Sequence, residues 1–345
     1  LPTTVLILGL GAFAGALALV PLVKRVAIRN DVTSAPRPDR LHSTPTPYLG
    51  GVAIVLAAAL VSPFVGEWNA EAGVIVLGAL LLGVVGLIDD VRGLRPAPRL
   101  IAEVVAALLA ANAGVHVNIF GGGADIVVTV IWFVAVTNAF NLVDNMDGAA
   151  GAIAAATAIA LTVSAGLQHQ VVVADLAAVV AGACLAFLVY NWYPARIFMG
   201  DAGTLPLGYL LAAIALKLRF PVEHMASVTA TVLFIAPAMF DTALVVISRI
   251  WHHRPVYVGG TDHTSHRLLR LGWTTRVVAS LLTAVTALCG VLAIGVGRGT
   301  LPAAPVAVPM AVASVIALTA LLRLPASPPP PPRTYFYNAS AARAR

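Results

Sequence analysis

Apolar runs of about 20 residues recur along the whole of this chain, each long enough to cross a hydrocarbon core of about 30 Å. A backbone inside lipid must satisfy its own hydrogen-bonding groups, so such runs have to be helices packed on helices. Charged residues make up only 10% of the 345 and hydrophobic ones 59%, which excludes an aqueous globule. The fold class expected is therefore all-α, a polytopic integral membrane bundle.

Eleven spans are expected, over residues 2–23, 48–66, 70–88, 99–115, 126–143, 149–166, 171–190, 204–219, 224–250, 274–296 and 302–323. All but three of the 21 Lys and Arg residues fall in the loops after odd-numbered spans, at their edges or in the tail, leaving Lys217, Arg219 and Arg298 toward the other side. By the positive-inside rule the basic face is cytoplasmic and the N-terminus is outside. The first run follows LPTT with no basic flank, and Lys24-Arg25 comes after it, so it reads as a retained span and not as a cleaved leader. Residues 1–323 read as a single transmembrane domain. Residues 324–345, Pro-rich and without an apolar period, read as a disordered cytoplasmic tail. Cys184 and Cys289 fall inside spans and are expected to behave as small apolar residues.

The acidic residues gather on the basic face. Asp89-Asp90 ends the third span, Asp144 and Asp147 end the fifth in NLVDNMDG, and Asp201 precedes the eighth in FMGDAGT. Carboxylates at helix C-termini face the unfavourable pole of the macrodipole, so this placement asks for a reason. A hard cation with a phosphate-bearing substrate supplies one, since Mg²⁺ takes one or two carboxylates together with phosphate oxygens. Adjacent Asp89 and Asp90 cannot point the same way from a helix and are expected to do different jobs. Asp144 and Asp147 share a face if the helix continues past Asp144. Asn138 and Asn141, a turn deeper, need partners such as a carboxylate, a sugar hydroxyl or another helix. Asp39 and Asp125 read as ordinary solvated charges. His263, His266 and Arg267, after a Gly-Gly turn, offer donors suited to a diphosphate; zinc is the weaker reading, because no Cys or third spaced ligand accompanies them.

Five segments, in this order, resemble the polyprenyl-phosphate N-acetylhexosamine-1-phosphate transferases, the superfamily that also holds phospho-MurNAc-pentapeptide transferase. They are DRLHSTPTPYLGG (39–51), GLIDDVRGL (86–94), TNAFNLVDNMDG (137–148), NWYPARIFMGDAGT (191–204) and DHTSHRLLRLG (262–272). The resemblance implies transfer of a sugar 1-phosphate from a UDP-N-acetylhexosamine to a polyprenyl (undecaprenyl or decaprenyl) phosphate, releasing UMP. It also implies Mg²⁺, with Mn²⁺ as an alternative ion, and a multi-pass protein of the bacterial cytoplasmic membrane. No nucleic-acid partner is expected, and a homodimer is one option for its assembly.

By the same resemblance Asp201 matches a direct Mg²⁺ ligand and Asp89 the base for the lipid phosphate. Asp90 matches a neighbour near the metal, and Asp144 a carboxylate of the metal and diphosphate region that is also a candidate nucleophile. Asn141 and Asp147 fall on the substrate side, Asp147 toward the uridine end with Asn191 and Phe198. His263, His266 and Arg267 match the part that binds diphosphate and sugar, and Arg40 and His42 a further substrate contact. Asp241, in PAMFDT, recurs in the likeness without a role. Asn145 stands where the family commonly has Gly, and Thr204 replaces a usual Ser.

Direct attack of the lipid phosphate on the β-phosphorus and a double displacement through a phosphosugar-aspartate both remain open. Asp144-x-x-Asp147-Gly148 also starts the core of a CDP-alcohol phosphotransferase, but the Ala-Arg and later aspartates of that core are missing. A transporter is the rival of a different class, and would want its ionisable groups near the bilayer midplane. Within the superfamily the rival is the MurNAc-pentapeptide enzyme. DHTSHRLLRLG fits the N-acetylhexosamine branch better, which favours UDP-GlcNAc as donor.

Overall fold

A computed structural model describes residues 3–34, 46–257 and 260–324. Arg40, His42 and Asp39 lie outside the described residues, as does the tail after Leu324. Each expected span coincides with a helix. In chain order these are α1 (Thr3–Arg29), α2 (Gly50–Val61, continued by a 3-10 turn at Ser62–Phe64), α3 (Ala70–Arg92) and α4 (Pro96–Asn112). Then come α5 (Gly123–Val143), α6 (Ala149–Leu167), α7 (Val171–Asn191), α8 (Asp201–Lys217) and α9 (His224–Trp251). The last helices among the described residues are α10 (Thr264–Arg270), α11 (Thr275–Gly297) and α12 (Ala303–Leu322). Among the described residues, 8 helices are long and apolar enough to cross a membrane: α1, α3, α5, α6, α7, α9, α11 and α12. The helices α2, α4 and α8, with 12, 17 and 17 residues, are shorter.

The interior is built from α6, α7 and α8, whose Ala- and Gly-rich sequences let neighbours approach closely. Around them α1 packs on α7, α3 and α5 on α8, and α11 on α6 and α9. The outer faces of α1, α3, α5 and α12 present Leu, Ile and Val outward, the pattern of helices solvated by lipid. α12 has no buried residue.

Two strands, β1 (Thr33–Ser34) and β2 (Thr46–Pro47), pair antiparallel with Thr33 opposite Pro47 and Ser34 opposite Thr46. The segment before α8 lies alongside them: the Phe198 amide donates to the Pro47 carbonyl at 2.9 Å, and the Gly50 and Gly51 amides donate to Phe198 and Met199. This fixes the approach of the chain to Asp201.

Asp125 departs from its expected place. It is buried, and its carboxylate accepts the amides of Ile119, Phe120 and Gly121 at 2.9–3.0 Å, closing the turn that leads into α5. A carboxylate at the first turn of a helix with three donors in reach is stabilised by both, so it has no need of solvent. Nor does α5 continue past Asp144, which is its C-terminal cap at φ −76° and ψ 52°. Asp144 and Asp147 therefore lie on a turn and not on one helical face.

Candidate active site

The ends of α3 and α5 and the starts of α4 and α8 meet at one end of the bundle, and the acidic residues meet there with them. What brings α8 so near α3 is Gly86: a Cβ there would overlap the backbone of Asp201, so no other residue allows this approach. Gly200, at φ +73°, makes the sharp entry into α8, and any side chain at that position would also meet the Asp90 carboxylate.

Asp90 and Asp89, successive on α3, face different partners. Asp90 accepts the backbone amides of Asp201 and Ala202, each at 2.9 Å, one on each oxygen. The first amides of a helix have no partner within it and its N-terminus carries partial positive charge, so Asp90 serves as an N-cap supplied by another helix. The sequence reading puts Asp90 among the metal ligands and catalytic groups; in the structure its two oxygens hold the backbone amides of Asp201 and Ala202 and so fix how Asp201 is presented. Asp89 points into the site. It accepts the amide of Leu94 and, at 3.0 Å, Nη1 of Arg99.

Arg99 is the residue that sequence reasoning missed; it counted only toward sidedness. It lies in the first turn of α4, and Nη1 donates to both Asp89, at 3.0 Å, and Asp201, at 2.8 Å, while Nη2 reaches Asn141 Oδ1 at 3.3 Å. Asn141 completes the ring, its amide donating to Asp201 Oδ1 at 2.7 Å and to Thr204 Oγ1 at 2.8 Å. One helical turn deeper on each helix, buried Glu103 of α4 accepts from Asn138 of α5, the partner that a buried amide requires. The available signal was spacing: Arg99 and Glu103 are four apart on α4, as neighbours on one face are, and Asn138 and Asn141 are three apart on α5.

Asp144 is half-buried at the end of α5, three residues after Asn141. Asp147, three residues on, is buried and accepts the Ala195 amide at 2.8 Å. Asn191 is also buried; it accepts the Gly148 amide at 3.0 Å and donates to the Ile197 carbonyl at 2.9 Å. These two substrate candidates tie the α5–α6 turn to the 192–200 segment. Phe198 is half-buried, its ring 5.6 Å from that of Tyr48.

The loop after α9 folds over the same end. Ser265 hydrogen-bonds Asn145, which couples the loop to the Asp144–Asp147 turn. His263 is buried against Asp241, its ring 5.7 Å from that of half-buried His266. Burial, and then the charge of His263, hold the His266 imidazole down at about 4, so it is neutral at ordinary pH. Arg267 is placed differently from the reading that made it a diphosphate donor. It is fully buried, and its guanidinium donates to the carbonyls of Asp262, Leu321 and Leu324 and to Ser248 Oγ. An ever-charged group at the negative end of α12 is stabilised by that helix, and in this position it anchors the loop.

No group of three or more His, Cys, Asp or Glu side chains gathers as a metal cage among the described residues. What is present is a smaller donor set, with Asp89 and Asp201 converging on a single positive nitrogen and the Asn141 carbonyl oxygen beside them. That set suits an ion that takes one or two carboxylates and fills its remaining positions from water and phosphate, as Mg²⁺ does.

Residues 72–219, from early α3 to just past α8, match the family model described as glycosyl transferase family 4. The chain is 30% identical over 274 residues to the probable undecaprenyl-phosphate N-acetylglucosaminyl 1-phosphate transferase of Bacillus subtilis (strain 168), covering 76% of each chain. It is 33% identical over 303 residues to the decaprenyl-phosphate N-acetylglucosaminephosphotransferase of Mycobacterium leprae (strain TN), again with 76% of each covered. A phospho-N-acetylmuramoyl-pentapeptide-transferase of Desulforudis audaxviator (strain MP104C) is 32% identical over 326 residues, or 80% of this chain and 94% of that one. With its central helices and the ring around Arg99 inside the matched region, the chain belongs to glycosyl transferase family 4 and is a membrane transferase.

Proposed function

We propose that the protein transfers GlcNAc-1-phosphate, or a related N-acetylhexosamine 1-phosphate, from a UDP-sugar to polyprenyl phosphate. The products are UMP and a polyprenyl-diphosphate-linked sugar that initiates a cell-envelope polysaccharide. The observation that carries this reading is the convergence of Asp89 and Asp201 on Arg99 at one end of the bundle. The similarity to two proteins named as polyprenyl-phosphate GlcNAc-1-phosphate transferases supports the donor and the acceptor. The basic loops favour the cytoplasmic side of a bacterial inner membrane for this end, with the N-terminus outside.

Phosphoryl transfer needs positioning and charge neutralisation more than covalent help. A lipid-phosphate oxygen attacks the β-phosphorus, the bond from that phosphorus to the bridging oxygen breaks, and UMP leaves with the electron pair. Asp89 and Asp201, with Asn141, would hold Mg²⁺, which when bound neutralises charge on the diphosphate. Arg99, released from the carboxylates it bridges, is placed to take phosphate oxygens in their stead. Asp144, at the end of α5, would orient the acceptor, and His266, neutral, offers a hydrogen bond to the donor without repelling bound cation.

A transporter is disfavoured because the carboxylates around Arg99 gather at one end of the bundle and not near its middle, and the buried carboxylates away from this ring each have at least one protein partner. Glu103 is tied to Asn138, and Asp175 accepts the Gly66 amide at 3.0 Å. The test is UMP release by purified protein in detergent with undecaprenyl phosphate, a panel of UDP-sugars, with and without Mg²⁺, and Asp201→Asn alongside. Lipid- and Mg²⁺-dependent release with UDP-GlcNAc, lost in the variant, is the expected result. Release only with UDP-MurNAc-pentapeptide moves the protein to the neighbouring branch, and the absence of release with every donor, from folded protein, overturns the reading.

A further inference from the structure

Asp241 has no part in the ring around Arg99, yet it is buried in α9, one turn after Pro237, with its carboxylate aimed at the loop. Oδ2 lies 2.8 Å from His263 Nδ1, and Oδ1 accepts the Thr264 amide at 2.7 Å. Both members of the pair are nearly inaccessible, with side chains 9% and 5% exposed. A carboxylate placed in such surroundings is costly without a partner, and both oxygens have one on the same two residues.

We propose that Asp241 is a positioning residue that fixes the orientation and tautomer of His263 and so leaves Nε2 as the ring nitrogen offered to substrate. An ionised carboxylate only accepts, so Nδ1 must carry the proton, and Nε2 is then the free lone pair, or a second donor when the ring is protonated. The amide of Thr264 held by the same carboxylate sets where α10 begins, so the ring cannot slide along the loop. Ser265, the next residue, bonds Asn145 and thereby ties this ring to the turn that carries Asp144. The inference deepens the proposed function and rests on its reading that the loop faces the sugar phosphate.

The test is ¹⁵N NMR of histidine-labelled protein in nanodiscs, without substrate, beside kinetics of Asp241→Asn, His263→Gln and the double variant. In the wild type, neutral His263 is expected as the Nδ1–H tautomer; the Nε2–H form overturns the proposal, whether or not any variant folds. In Asp241→Asn the amide oxygen keeps Thr264 while its NH₂ donates to Nδ1, so the tautomer inverts and kcat/KM falls on the order of 10- to 100-fold. The double variant is expected to match His263→Gln within about twofold, because residues that act as a unit are not additive. Losses that multiply contradict the proposal. Because the tautomer is read without substrate, a failed transfer assay strikes the proposed function and leaves the placement of His263 to the spectrum.

Discussion

Nη1 of Arg99 lies 2.8 Å from Asp201, a residue 102 positions away in sequence, and 3.0 Å from Asp89 on a third helix. The guanidinium thus stands where two carboxylates from separate helices would otherwise repel each other. Arg99→Ala leaves a partly buried pair of like charges, which costs about 3 kcal/mol by the usual measure of a broken buried ion pair. The variant is expected to lose at least about 100-fold in activity, with Arg99→Lys recovering part of it. Mg²⁺ should raise the melting temperature of Arg99→Ala more than that of the wild type, since the cation then relieves a larger repulsion. Thermal unfolding in detergent with and without EDTA reads this; an equal rise in both proteins contradicts the arrangement.

Asp90 acts through α8, and its variants should behave accordingly. Asp90→Asn keeps one acceptor but turns an NH₂ toward an amide, with an expected loss of about 1 kcal/mol in stability. Activity should fall with it, because Asp201 is the residue whose amide is released. A stable Asp90→Asn protein that is inactive would instead place Asp90 in the chemistry itself.

Gly86→Ala tests the approach of α3 to α8 separately from any charge. Its methyl group has no room against the Asp201 backbone, and overpacking of this kind costs about 1–3 kcal/mol. Lower melting temperature and lower activity are expected together, while Gly123→Ala, which meets nothing within 4 Å, should change neither.

His266 predicts a pH dependence. Burial lowers its pKa in the folded state to about 4 from the ordinary 6.5, so below pH 6.5 the unfolded chain binds a proton that the folded one refuses. Stability is whole above about pH 6.5 and falls as the pH drops toward 4, by about 1 kcal/mol per unit. His266→Gln should flatten that part of the profile; an unchanged slope assigns the dependence elsewhere.

Much of this was legible in the sequence because the bilayer leaves few choices. Each apolar run longer than a turn of loop became a helix, and the clustering of Asp89, Asp144 and Asp201 at one end followed from counting spans. What was not legible depended on which side of a helix faces inward. Arg99 reads as one more cytoplasmic cation until α4 is rotated so that it and Glu103 face α5. Arg267 reads as a phosphate donor by residue type, yet the end of α12, far along the chain, claims its hydrogen bonds. Asp125 reads as solvated because no sequence pattern reveals three loop amides converging on it. Long-range partners of polar residues are set by tertiary packing, and a single chain read in order does not contain them.

The most direct measurement follows the phosphorus. Donor labelled with ³²P at the β-position of UDP-GlcNAc would be incubated with purified protein and undecaprenyl phosphate, and the label traced among lipid, UMP and protein. Label in the lipid fraction, unlabelled UMP and no transfer by Asp201→Asn is the expected outcome. Label retained on the protein after the lipid acceptor is withheld contradicts direct attack, and label that never reaches the lipid contradicts the reaction itself.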